Sequence, residues 1–223
     1  MLHPMRKVRS SHTDAVRTRV SVVPWAGSYW PTWQDNINHR WAGPSTQSPS
    51  EKFETAFDRP GLPLRISEQY GILSLPGWDK YSCETDADCQ GAAVCVAPLD
   101  DPDGARCIEK WFGICHAWAP AAVLEKEPVN PVVHNGVEFK VNDIKALISL
   151  AYDKGTEQTF ISGRCDTKED ELESDEHGNP TSEDGECSDT NAGTFHVAVA
   201  NVMGIAGKSF IEDRTYDYQV WNQ

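Results

Sequence analysis

Seven cysteines set the first constraint on how this chain folds. Four of them, Cys83, Cys89, Cys95 and Cys107, crowd together with the spacing C-x5-C-x5-C-x11-C. Zinc sites favour much shorter Cys–Cys pairs, so metal is the weaker reading and a disulfide knot the stronger one. Residues 78–108 carry acids (Glu84, Asp86, Asp88) and too few apolar side chains to make a core. Such a module depends on its bridges. Of the three connectivities open to four cysteines, Cys83–Cys95 with Cys89–Cys107 is favoured. Disulfides of this kind form in oxidising compartments, which points to a secreted protein. Residues 1–20 carry Arg6, Lys7, Arg9, Arg17 and Arg19 but no apolar stretch of the signal-peptide kind. The leader is therefore expected to be missing from this sequence.

Seven is an odd number. If the first four cysteines pair among themselves, and Cys165 pairs with Cys187 across an acidic loop, Cys115 is left over. A leftover cysteine in a disulfide-forming protein is an intermolecular link or a reactive thiol. The local sequence favours the second. In Trp111-Phe112-Gly113-Ile114-Cys115-His116-Ala117-Trp118 the glycine breaks the chain, and the alanine-rich run from Ala119 to Lys126 predicts a helix. Cys115 then lies at a helix N-terminus, where unsatisfied N–H groups and the helix dipole favour a thiolate. Papain-like cysteine enzymes use this arrangement; a buried structural cysteine is the plainer alternative.

Length and charge narrow the rest. A chain of 223 residues suffices for one good-sized core, or a core plus a small module. A formal net charge of -14 argues against nucleic acid and against anionic membrane surfaces, both of which require a basic face. No apolar run approaches the roughly 20 residues needed to span a bilayer. Three segments follow: an N-terminal arm with helices over 1–77, the disulfide module over 78–108, and a core over 109–223.

Within the arm, Trp25, Trp30, Trp33 and Trp41 punctuate a proline-rich stretch expected to lie extended over the core. Ser48-Pro49-Ser50-Glu51 is a capping box that starts a helix running to about Phe57, burying Phe53, Ala56 and Phe57. A second short helix is expected around Ile66 to Ile72. Further on, Asn135-Gly136 joins Val132–His134 to Val137–Phe139 in a hairpin. Asn142 or Asp143 caps a helix in which Ile144, Leu147, Ile148 and Ala151 recur at helical spacing, and Gly155 stops it. Thr159-Phe160-Ile161 suggests a strand. The acidic stretch 166–189 is either a solvated loop or a calcium site, and it lacks the D-x-[DN]-x-[DN]-G pattern of a known calcium loop. Residues 194–201 alternate as a strand and 209–214 return antiparallel to it.

A thiol of ordinary pKa is only slightly ionised near neutrality, so a cysteine nucleophile needs a base. His3, His12 and His39 lie in the arm. His116 adjoins Cys115, but neighbouring positions on a helix point apart. His134 sits at a hairpin tip and His177 in the acidic loop. His196 is left, mid-strand among small alanines. If 194–203 and 206–214 form a hairpin, His196 and Asp213 are direct cross-strand neighbours, and the carboxylate would orient the imidazole. A one-residue bulge would put Glu212 there instead.

These residues resemble a known family, the transglutaminase elicitors of oomycetes, cell-wall proteins of Phytophthora species with relatives in marine bacteria. The likeness runs from about Pro24 to the end. It rests on Ser28-Tyr29-Trp30-Pro31-Thr32, the Cys83–Cys107 module, Trp111 through Glu127, Asp143 through Ile148, Phe195 through Gly204, and Val220-Trp221-Asn222-Gln223. The last four residues match the start of the family's peptide that plants perceive as an elicitor; the remainder of that peptide is absent, so the chain is expected to be cut at its C-terminus. The resemblance implies an α+β, papain-like or transglutaminase-like core, with a Cys-bearing helix packed on an antiparallel sheet that carries His and Asp. It implies Cys115 as nucleophile, His196 as base and Asp213 as orienting acid. It also implies calcium as cofactor, protein substrates with reactive glutamine and lysine, a plant receptor as a further partner, and a secreted, cell-wall location. The chain departs from the family in having no N-glycosylation sequon, since Asn179-Pro180-Thr181 is disqualified by its proline. The rival readings are a papain-like cysteine protease or amidase, and a non-enzymatic secreted binding or elicitor protein.

Overall fold

The computed structural model describes residues 23–75, 82–98, 101–155, 173, 175–176, 181 and 192–211. They fall into two compact units, one within Pro24–Thr156 and the other holding residues 192–211.

The larger unit opens with the aromatic arm, which turns through short 3-10 segments at Thr32–Gln34 and Asn36–Asn38. Helix α1, Pro49–Phe57, starts as its capping box dictates: Ser48 Oγ accepts from Glu51 N at 3.2 Å, and Glu51 Oε2 accepts from Ser48 N at 2.7 Å. Its buried face differs from the expected one. Ser50, Lys52 and Ala56 are buried, whereas Phe57 is 43% exposed and stacks between Phe53 and His134. The lysine goes inward because Asp143 waits there with an opposite charge. Helix α2, Leu62–Tyr70, begins four residues earlier than the expected Ile66, and Ile72 belongs to the 3-10 turn that follows.

In the disulfide module, Cys83 bonds Cys95 and Cys89 bonds Cys107, the favoured connectivity. Strands β1, Ala93–Val96, and β2, Arg106–Glu109, pair antiparallel with Cys95 opposite Cys107. The second hairpin joins β3, Val132–His134, to β4, Val137–Phe139. At its turn Asn135 and Gly136 both adopt positive φ, 48° and 78°, as a two-residue turn of this kind requires.

Helix α3, Cys115–Leu124, lies against α4, Val141–Gly155. Both contact faces are small: Ala117, Ala121 and Ala122 on α3, Ala146 and Ser149 on α4, all buried. Small side chains let the helix axes approach closely, and the space around them is filled by larger residues. Trp30, Ile37, Ile66 and Ile114 pack at one end of this contact, Trp25 and Trp118 at the other. Asp143 ties down the start of α4 from inside its first turn, accepting from Lys140 N at 2.7 Å and from Trp41 Nε1 at 2.8 Å.

The molecule is α+β, as expected, with two corrections. The Cys115 helix packs on a helix, and the sheets among the described residues are two small hairpins. Residues expected to form the His196 strand form helix α5, Ala192–Val199, continued by a π-helical turn over Ala200–Ile205. The alternation that suggested a strand has two small alanines beside His196 on its second face, so the contrast between the faces is weak and the period is ambiguous over so short a run. Alanine also has the highest helix propensity. Residues 207–211 take no regular structure. The expected strand at 159–161, the Cys165–Cys187 bridge, Asp213 and the terminal Val220–Gln223 lie outside the described residues.

Candidate active site

Gly113 is needed for more than breaking the chain. The arm runs alongside it, with Thr32 N donating to Phe112 O at 2.9 Å and Ile114 N donating to Tyr29 O at 2.8 Å. A Cβ on residue 113 would lie 2.5 Å from Tyr29 O, so only glycine permits the two backbones to come this close. Tyr29 Oη secures the same contact by donating to Lys110 O at 2.6 Å. Trp30 and Ile114, almost wholly buried, lock the arm and the cysteine segment into one core.

Cys115 is the first residue of α3 and is half-buried, outside both bridges. Ile114 precedes it as the N-cap residue and contributes no side-chain cap. The first helical bonds run from Ala117 N and Trp118 N to Ile114 O, at 3.0 and 2.9 Å. The cysteine thus occupies the end of the helix where backbone N–H groups and the dipole favour negative charge, the setting that the sequence predicts.

The neighbouring imidazole has a partner that sequence reasoning missed. His116 Nε2 lies 2.6 Å from Asp153 Oδ1 in the last turn of α4, and the other carboxylate oxygen accepts from Tyr70 Oη at 2.8 Å. The Asp153 side chain is 8% exposed, His116 53%. Burial, then the hydrogen bond and charge of Asp153, push the Tyr70 phenol up to about 12. No local signal pairs positions 37 residues apart, so this carboxylate was not legible in the sequence.

On the opposite flank, Trp118 packs with Trp25, Ala121 and Ala122, which makes it a core residue. Trp111 meets Phe112 edge-to-face at 4.3 Å and remains half-buried. Glu125, just past the end of α3, accepts from Tyr152 Oη at 2.5 Å through its side chain and from Trp25 Nε1 at 3.2 Å through its carbonyl.

The other two expected site residues are not part of the larger unit's described residues. His196 is exposed on α5, in the smaller unit, where Phe195 packs edge-to-face on Phe210 at 6.2 Å. Asp213 lies outside the described residues. Among the described residues, the one cluster with metal-ligand proximity is Cys83, Cys89 and Cys107, whose sulfurs are all closed into disulfides. No described carboxylate set fits a calcium ion.

Comparison with solved structures places this geometry. The chain matches the crystal structure of the GP42 transglutaminase from Phytophthora sojae at 36% identity and a TM-score of 0.72, covering 92% of this chain and 53% of that one. The α+β fold is therefore similar to that of a solved transglutaminase. The family model described as transglutaminase elicitor matches residues 6–223, and the chain belongs to that family. It spans about half the length of the solved GP42 chain. No curated protein matches it.

Proposed function

We propose that the protein is a protein-glutamine γ-glutamyltransferase that acts through a Cys115 thioester. The observation that carries this is Cys115 at the first position of α3, in a chain of the transglutaminase elicitor family. The thiolate attacks the γ-carboxamide carbon of a protein glutamine. A histidine donates a proton to the departing ammonia, and a thioester remains. A lysine ε-amine gives up a proton to the same histidine and attacks the thioester, releasing the thiolate and leaving an isopeptide crosslink. Water in place of the amine gives deamidation, so excluding water matters, and Trp111 is the aromatic available to do it. The backbone N–H of Cys115 is a candidate oxyanion donor.

His196 as the base is supported by the family membership and by the resemblance over Phe195–Gly204; Asp213 as its orienting carboxylate is proposed from the family membership alone. Calcium is proposed from the family membership. Secretion to the cell wall is supported by the two disulfides, which need an oxidising compartment. No described helix is long and apolar enough to cross a membrane. Perception by a plant receptor is proposed from the family's description as an elicitor and from Val220-Trp221-Asn222-Gln223.

Incorporation of a dansylated amine into casein, titrated with calcium, tests the reading. Wild type should incorporate the amine and Cys115→Ala should not. Casein cleavage without incorporation would make the protein a protease. An unchanged signal in Cys115→Ala would remove the nucleophile.

A further inference from the structure

The cysteine helix begins without a side-chain cap, so something else must hold its first turn if the thiol is to keep one orientation. Backbone bonds from the arm hold residues 112 and 114, on one side. The other side is held by a chain of three side chains. His116 sits one residue past the thiol, and its Nε2 lies 2.6 Å from Asp153 Oδ1. An ionised carboxylate only accepts, so the bond is one that Nε2–H donates. Asp153 is itself fixed through its second oxygen, which accepts from Tyr70 Oη at 2.8 Å. Tyr70 is the last residue of α2, and Lys154 Nζ lies 5.7 Å from its ring centroid. Three helices therefore meet at one nearly buried carboxylate, and the element that carries the nucleophile is one of them.

We propose that His116 is a positioning residue for the Cys115 nucleophile: Tyr70 holds Asp153, Asp153 holds the imidazole, and the imidazole fixes the first turn of α3 against α2 and α4. This rests on the reading of Cys115 as the thioester-forming thiol. The base in the chemistry is a different histidine; His116 acts through the backbone it shares with Cys115. The side chains of adjacent helical residues diverge, which suits an anchor pointing to α4 while the thiol points elsewhere.

The test uses the full chain, with two readouts: the rate at which iodoacetamide alkylates native Cys115, and dansyl-amine incorporation. Thermal unfolding is followed in parallel. His116→Ala should slow both by about tenfold, the equivalent of one well-placed hydrogen bond. His116→Gln keeps an N–H for Asp153 and should recover both rates to within about threefold. Tyr70→Phe should slow alkylation when made alone but add little to His116→Ala, because the two act through one carboxylate. If His116→Gln is as slow as His116→Ala, the imidazole does the chemistry itself and the positioning role falls. It falls equally if His116→Ala lowers the melting temperature with alkylation unchanged, or if the Tyr70 and His116 losses are fully additive. Should wild type incorporate no amine while the alkylation rates keep the expected order, the positioning of Cys115 stands and the transglutaminase reading is what fails.

Discussion

Lys52 Nζ lies 2.5 Å from Asp143 Oδ2, with 7% and 1% of the two side chains exposed, across 91 residues of sequence. This buried ion pair joins α1 to the start of α4, the helix against which the cysteine helix packs. Asp143 is otherwise satisfied by Trp41 Nε1 and Lys140 N, so its carboxylate has donors from three separate segments.

Breaking one side of such a pair leaves a buried, uncompensated charge. Lys52→Met should therefore destabilise the protein by about 3–5 kcal/mol. Adding Asp143→Leu should not cost as much again, since removing both charges also removes their desolvation penalty. Urea denaturation of the two single variants and the double variant measures this; equal and additive losses would show that the two side chains contribute separately.

The disulfide module stands on its bridges. Each closes a short loop and contributes on the order of 3 kcal/mol. Gentle reduction should raise hydrogen exchange over residues 82–109 before it does so in α4, which has an apolar core of its own around Ala146. Simultaneous loss of protection would mean that the module and the helices unfold as one.

Two phenols provide a signature in alkali. Tyr70 is pushed up to about 12 by burial and Asp153, and Tyr152 to about 12 by its bond to Glu125 and by burial. Both folded values lie above the ordinary one near 10. Their contribution to stability is therefore complete below about pH 10 and is lost as pH rises from about 10 to 12. Ultraviolet titration of the native protein should show the two titrating late, and Tyr70→Phe with Tyr152→Phe should remove that late phase.

For the proposed triad, loss of a carboxylate that orients a catalytic histidine typically costs ~10⁴ in turnover. Asp213→Asn should abolish amine incorporation, whereas Glu212→Gln should leave most of it. The reverse result would move the orienting role to Glu212, with Cys115 unaffected.

What the sequence by itself determined were features set by neighbouring residues. Ser48 and Glu51 cap α1 because they are three positions apart. Asn135-Gly136 makes its hairpin because both residues tolerate positive φ. The spacing of the four crowded cysteines pointed to disulfides, of which the favoured pairing is the one that forms, and Gly113 with the alanines after it put Cys115 at a helix start. Tertiary structure decided what depends on distant partners. Lys52 turned inward to meet Asp143, and Lys145 Nζ reached Ala26 O at 2.6 Å across 119 residues. His116, set aside because it diverges from its neighbour on the helix, found Asp153 on another helix. The His196 segment, with alanines beside the histidine on its second face, carried no period strong enough to choose between strand and helix, and it folded as α5. A charge or a hydrogen bond between residues far apart in the chain has no period and no local motif. It exists only once packing has brought the two ends together.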